Sequence, residues 1–470
     1  MAEMEQAAGA RRGMAAHAEP RVRSAERPAQ LAVLAASATF FLVSLDTLIV
    51  NVALPTIAAE LGGTLSDQQW VIDGYTLAFA ALLLASGSLA DRLGAKRLFV
   101  SGTALFALAS LACALAPTMG ALVAGRVLLG VAAAAVLPAS MTIIREAYPD
   151  EARRARALGV WMAGGAVAAA AGPLLGGLLT PIHWSLIFSV NAPVCVLVLA
   201  ACAQVAPSPQ RSATFDAPGQ LLATLGLTAL VGGVIEAGER GISSPLVLGL
   251  LIGGALCLVA FVASQARVAH PMMPLALFGS KGMRVALFTG FAFILSWFGT
   301  VFLCSTYLQQ GLGLSPMAAG LAFVPSAAGS FVGNIASGRI AARHGSGLPM
   351  AAGLGCEALG LLLLAALAPT LSATSVALLV AVVGLGGSLA MPATSSLVLA
   401  SADARLSGVA SALFNTFRQV GASIGIALFG LFVTAAPTLG GALRLSFAVA
   451  AALVVAAAVM AARLGGNPKR

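Results

Sequence analysis

Three charged residues stand inside stretches that are otherwise apolar: Asp46, Asp73 and Arg126. A charged side chain at the middle of a bilayer costs roughly 2.5–3.5 kcal/mol on insertion scales, so each of the three needs a compensating role. Counting about 1.5 Å per residue from the ends of their apolar runs puts all three about 6–12 Å below one boundary. Carboxylates and a permanent cation at a shared depth can bind and release a proton. Asp46 or Asp73 would take it, and Arg126 would lower that acid's affinity for it in one conformation. A fixed ion pair that only orients helices is the alternative. Glu357 and Arg418 lie at a second shared depth in later runs and could pair. Asn51, Trp161, Glu357, Asn415 and Arg418 are the candidates for a substrate cavity, with Glu357 open to a structural, proton or substrate-cation role.

The elements that must position these groups follow from composition. The 470-residue chain is 59% hydrophobic and 9% charged, whereas soluble domains carry roughly a quarter of their residues as charge. Crossing about 30 Å of hydrocarbon takes about 20 residues of helix. Apolar runs of that length fall near 31–54, 69–89, 98–116, 119–143, 157–180 and 184–204, then 218–236 and 245–264. Six more follow near 285–308, 316–338, 348–367, 373–399, 407–435 and 443–463. The pattern is six, two and six, an all-α integral membrane chain of 14 transmembrane helices. The expected division is a disordered cytoplasmic tail over 1–30, a six-helix bundle over 31–205, a linker with two inserted helices over 206–265, a cytoplasmic loop over 266–284, a second six-helix bundle over 285–463 and a tail over 464–470.

Charge distribution tests that count independently, because Lys and Arg in short loops stay on the cytoplasmic side. With the N-terminus inside, the tail (Arg11, Arg12, Arg21, Arg23, Arg27) and the loops with Arg92, Lys96, Arg97, Arg145, Arg153, Arg154 and Arg156 are cytoplasmic. So are Arg211, Arg267, Lys281, Arg284, Arg339, Arg343, Arg405, Arg463, Lys469 and Arg470, leaving only Arg240 and Arg444 outside. Both termini are therefore expected in the cytoplasm. The net charge of +9 is spread between apolar runs rather than gathered on a face, which argues against nucleic acid.

Glycine spacing marks the moving parts. Gly87-Ser-Leu-Ala-Asp91-Arg92-Leu-Gly94-Ala-Lys96-Arg97 follows the second span, and Gly338-Arg339-Ile-Ala-Ala-Arg343-His344-Gly345 after the tenth is a degenerate copy. Parallel six-helix repeats account for both, and internal symmetry of this kind is common in transporters. Gly172 and Pro173 interrupt the fifth span, where a missing backbone hydrogen bond bends a helix, and Gly176 and Gly177 admit a close neighbour. A packing kink without a gating role is the alternative for this segment.

These residues carry a resemblance. Gly87 to Arg97 resembles the signature loop of the major facilitator superfamily. Leu45-Asp46-Thr47 through Asn51-Val-Ala-Leu-Pro55, Arg126-Val-Leu-Leu-Gly130, Gly172-Pro173-Leu-Leu-Gly176-Gly177 and Asn415-Thr-Phe-Arg418-Gln-Val-Gly421 resemble motifs of its fourteen-helix drug:proton antiporter branch, the EmrB/QacA type. The resemblance implies the major facilitator fold, export driven by the proton gradient with no cofactor, proton relay by Arg126, conformational roles for Asp91 and its loop, and a seal between halves at Gly172–Gly177. Ala95 and Ala342 depart from the pattern, which implies a cytoplasmic charge relay held mainly by the first half. Small organic molecules, protons and lipids are the expected partners, and a bacterial inner membrane the expected location.

Other function classes lack their chemistry in this sequence. There is no HExxH, Walker A or GxSxG pattern, so neither an enzyme nor a nucleotide-driven pump is expected. The six cysteines have no CxxC spacing, and His17, His183, His270 and His344 are isolated from one another. A passive pore is disfavoured by the duplicated halves with glycine-rich segments. Multidrug efflux is preferred over dedicated export of one natural product because intramembrane acids attract lipophilic cations.

Overall fold

The computed structural model describes residues 27–210, 215–269, 271–403 and 406–464, apart from the side chains of 155, 166, 170 and 369, together with the helical backbone back to Ala2. The segment expected as a disordered tail over 1–30 is helical backbone from Ala2 onward, continuous with the first span; the side chains before Arg27 lie outside the described residues, as do Arg211, His270, Arg405, Lys469 and Arg470. The first half comprises α1 (Ala2–Leu61), α2 (Leu65–Leu93), α3 (Ala95–Ala114), α4 (Met119–Ala147), α5 (Glu151–Leu179), α6 (Leu186–Ser189) and α7 (Asn191–Cys202). Next come α8 (Ala217–Arg240) and α9 (Pro245–Gln265). The second half comprises α10 (Lys281–Thr306), α11 (Pro316–Leu321), α12 (Val324–His344), α13 (Gly347–Leu367), α14 (Ala373–Ala400), α15 (Ser407–Ala435) and α16 (Leu439–Ala462).

Among the described residues, 12 helices are long and apolar enough to cross a membrane, and α5 makes a thirteenth when its two segments count as one span. The run expected at 184–204 is instead a shorter apolar helix, Leu186–Cys202, broken between α6 and α7. The expected order of six, two and six is retained with that broken element in sixth place. α5 bends by 43° between Glu151–Ala169 and Ala171–Leu179. Pro173 supplies the cause: it lacks the N–H for the carbonyl of Ala169, and its ring crowds that oxygen.

Helix starts explain how the chain re-enters at the end of the bundle that holds the α1–α2 turn. Thr64, Thr118, Ser315, Ser372 and Thr438 each accept a backbone N–H three residues on, satisfying a donor that a helix start leaves orphaned. Gly62 at that turn and Gly94 at the opposite end have φ of 71° and 85°, a region that disfavours side chains.

The halves repeat one packing scheme. In the first, α1 packs on α5, α2 on α4, and α3 on α4 and α7. In the second, α10 packs on α15, α12 on α14, and α13 on α14 and α16. The halves meet where α2 lies on α15 and α5 lies on α11 and α12. The α8–α9 pair is not a separate body, because α8 rests on both α2 and α15 and so covers one side of the seam.

Candidate functional site

Arg126 lies in the first turns of α4, fully buried, with its guanidinium on the Asp46 carboxylate of α1. Its Nε donates to Val71 O at 2.9 Å, and Tyr75 and Phe188 face it with ring centroids 4.5 and 5.9 Å away. The other carboxylate oxygen of Asp46 accepts from Asn191 Nδ2 at 3.2 Å. Asn191 also donates to Ser110 Oγ at 2.9 Å, and Ser110 donates to Phe188 O at 2.8 Å. The break between α6 and α7 makes Asn191 the first residue of α7 and points its amide at the pair. Removing one member of a buried, hydrogen-bonded pair strands the other's charge, which costs about 3–5 kcal/mol.

Asp73 is not part of this pair. It sits on α2 where the halves meet, fully buried, with Oδ1 accepting from Thr76 Oγ1 at 3.1 Å. Thr76 Oγ1 lies 2.7 Å from Ser423 Oγ of α15, so the acid is linked across the seam through two hydroxyls. Its Oδ2 is buried and has no hydrogen-bond partner among the described residues. Sequence depth alone puts Asp46, Asp73 and Arg126 together, whereas the structure separates them into a buried ion pair inside one half and an acid at the seam that, among the described residues, has no cation partner.

Close contacts between halves gather at the α1–α2 end. Ser305 Oγ donates to Asn51 O at 2.9 Å, and Gln309 Nε2 donates to Val52 O at 3.0 Å. Gln69 Nε2 donates to Ile426 O at 2.9 Å and lies against Gly430. Beside them, a methyl group added at Gly177 would stand 2.9 Å from Pro316 O, and one at Gly176 2.7 Å from Ile49 O. A methyl group added at Gly172 would stand only 2.8 Å from the Leu48 side chain, and Gly320 packs on Pro173 O. The glycines therefore permit backbone-to-backbone approach at this end. Asn51, expected in a cavity, is buried at this contact, its amide donating to Thr47 O at 3.2 Å.

The signature loop lies at the other end. Asp91 and Arg92 are exposed, and an added methyl group at Gly87 would meet open space. Gly94 instead approaches Ser208 O, which a methyl group would reach at 3.0 Å. Lys96 donates its backbone N–H to Ser208 Oγ at 3.0 Å and its ammonium to Val205 O, and Gln210 donates to Leu93 O at 3.3 Å. The segment after α7 thus lies across the loop.

In the second half Glu357 and Arg418 do not pair. Glu357 projects from the middle of α13 and contacts Ser296 Oγ of α10, while Arg418 donates to Asn415 Oδ1 at 3.1 Å and lies near the Phe414 ring. One sits among α10, α13 and α14 and the other on α15, so equal depth did not mean adjacency. Trp161 stacks on Phe40 at 4.0 Å and donates to Ser140 Oγ at 3.1 Å, which makes it a packed residue in this conformation. Sequence reasoning missed Asn191, Ser110, Gln69, Thr76, Ser423 and Ser296. Each is a neutral polar residue inside an apolar run, and that position was the available signal.

The Major Facilitator Superfamily model matches residues 36–426. The chain is 33% identical over 397 residues to the methylenomycin A resistance protein of Bacillus subtilis (strain 168), covering 84% of this chain and 85% of that one. It is 32% identical over 448 residues to the methylenomycin A resistance protein of Streptomyces coelicolor, covering 94% of each. It is 37% identical over 412 residues to the puromycin resistance protein pur8 of Streptomyces alboniger, covering 84% and 80%. A crystal structure of a POT family transporter in complex with 5-aminolevulinic acid superposes with a TM-score of 0.68 at 12% identity, covering 92% of this chain and 96% of that one, a likeness of fold. Two six-helix repeats of matching packing and a family match across both of them give one conclusion: the chain belongs to the major facilitator superfamily.

Proposed function

We propose that the chain is a proton-coupled antiporter of the fourteen-helix drug:proton type, exporting small lipophilic or cationic organic molecules across a bacterial cytoplasmic membrane by alternating access. The observation that carries this reading is Asp73, a buried acid with an unpartnered oxygen on the surface where the two halves meet. Protonation there changes the charge at the seam, and therefore which arrangement of the halves is favoured. The Asp46–Arg126 pair, bonded to Asn191 on the carboxylate and to Val71 O on the guanidinium, holds α1, α2, α4 and α7 in register. The bent α5 and the broken α6–α7, each taken as one crossing, favour fourteen crossings with both termini cytoplasmic. On that topology the contact at Asn51, Gly177 and Pro316 closes the outer side.

Relatives named for resistance to methylenomycin A and puromycin support export of small molecules. Names that each specify one antibiotic also favour a second reading, a dedicated exporter of one natural product. Expressing the chain in a drug-sensitive bacterium and measuring accumulation of a panel of dyes and antibiotics, with and without an uncoupler, separates these. Lower accumulation of several compounds, abolished by the uncoupler, is the expected result. Protection against a single compound selects the second reading, and efflux indifferent to the uncoupler overturns proton coupling.

A further inference from the structure

Glu357 is the one acid of the second half whose surroundings can be counted hydrogen by hydrogen. Its side chain is fully buried midway along α13. Oε1 is in hydrogen-bond contact with Ser296 Oγ, and Oε2 is buried with no partner among the described residues. The same Ser296 Oγ lies 2.8 Å from Phe293 O in its own helix. A serine hydroxyl has one hydrogen to donate and two lone pairs to accept with. The carbonyl of Phe293 can only accept, so if Glu357 is ionised, two acceptors compete for that single hydrogen. With a proton on Glu357 the chain closes: the acid donates to Ser296 Oγ, and Ser296 donates to Phe293 O.

Charge gives the same answer. An ionised carboxylate buried without a cation is strongly disfavoured and neutralises instead. α14, packed against α13, contributes no titratable side chain. Lys281 and Arg284 of α10, Arg339, Arg343 and His344 of α12, and Arg444 and Arg463 at the two ends of α16 are all exposed. Of the neighbouring thiols, Cys356 donates weakly to Val382 O at 3.7 Å, and Cys304 lies about two turns along α10 from Ser296. The cation of α15, Arg418, is bonded to Asn415.

The helix that completes this chain also crosses the seam. α10 carries Ser296 against Glu357 and, about 13 Å further along, Ser305 against Asn51 O. Opening the α1–α2 end requires α10 and the turn that follows it, which carry Ser305 and Gln309, to leave Asn51 and Val52, and the same movement shifts Ser296 relative to α13. We propose that Glu357 is a second proton-binding site, in the second half, occupied while the α1–α2 end is closed and exchanged when α10 moves. This rests on the antiport reading and adds to Asp73 an acid on the opposite side of the seam.

The test is infrared spectroscopy of the full-length protein in nanodiscs at neutral pH, comparing wild type with Glu357→Gln, and proton release on substrate addition from liposomes containing each. The carboxamide can donate to Ser296 Oγ as the acid does, so the variant is expected to fold. Loss of a protonated-carboxyl band in Glu357→Gln, with fewer protons released per substrate than wild type, is the expected result. Loss of a carboxylate band, or no change in the carboxyl region, overturns the site, and an unchanged proton ratio overturns its exchange. If the variant yields no folded protein, Ser296→Ala is read instead: a shifted carboxyl band supports the chain, and an unshifted one overturns it. A wild type that releases no protons on substrate addition defeats the antiport reading while leaving the infrared result to stand on its own.

Discussion

The two halves share a packing scheme but not a chemistry. Counted from the caps Thr118 and Ser372, the place of Arg126 in α4 is taken in α14 by Val380, and both are fully buried. Around Arg126 the first half has Asp46, Asn191, Ser110 and the carbonyl of Val71. Around Val380 the second half has an apolar cluster that includes Val376, Val383, Leu361 and Leu364. A six-helix bundle of this kind thus closes equally well over an ion pair or over hydrocarbon. The fold does not demand the charges, which leaves them to be explained by what the protein does.

Breaking the pair gives the largest expected effect. Arg126→Leu leaves the Asp46 carboxylate buried without its cation, and the purified protein should lose about 3–5 kcal/mol of stability in thermal or denaturant unfolding. The double variant Asp46→Leu with Arg126→Leu, which imitates the second half, should recover most of that loss while transport stays impaired. If the double variant is no more stable than the single one, the comparison between halves fails.

Crowding the seam comes next. Gly177→Val places a side chain where only 2.9 Å separates an added methyl group from Pro316 O. Overpacking of this kind costs about 1–3 kcal/mol, and the cost falls on the closed arrangement alone. The closed population should fall by roughly 5- to 150-fold, read as lower crosslinking between cysteines introduced on α5 and α11. The equivalent change at Gly355, where an added methyl group meets open space, should leave the crosslink yield unchanged.

The smallest effect belongs to the hydroxyl bridge. Ser423→Ala removes one link between Asp73 and α15, worth about 0.5–1.5 kcal/mol. Substrate efflux should change in its pH dependence while the amount of folded protein does not. An unaltered pH profile would separate Thr76 and Ser423 from the acid they contact.

Much of this molecule could be read from its residues before its coordinates. Runs of apolar residues locate the helices, although α1 runs well beyond its apolar stretch at both ends, and Pro173 announces the bend in α5. The cost of burying a charge points to Asp46, Asp73, Arg126 and Glu357. What could not be read was tertiary. Depth along a helix says nothing about azimuth, so Asp73 shares a depth with Arg126, and Glu357 with Arg418, without either pair being in contact. Neutral hydroxyls and amides such as Asn191, Ser296 and Ser423 scarcely alter the apolar character of their runs, yet they decide which acids are tied and which are open to a proton. The break in the sixth helix has a cause legible in the sequence: Pro193, in the first turn of α7, has no N–H to give the carbonyl of Ser189, where α6 ends.

The central claim is that Asp73, at the seam, carries the coupling proton while Asp46 is held by Arg126. Proton release on substrate addition from sealed liposomes, measured for wild type and Asp73→Asn side by side, bears on it most directly. Release by wild type, with fewer protons released per substrate by Asp73→Asn although the variant still binds substrate, is the predicted result. Equal proton release from the two proteins would contradict it.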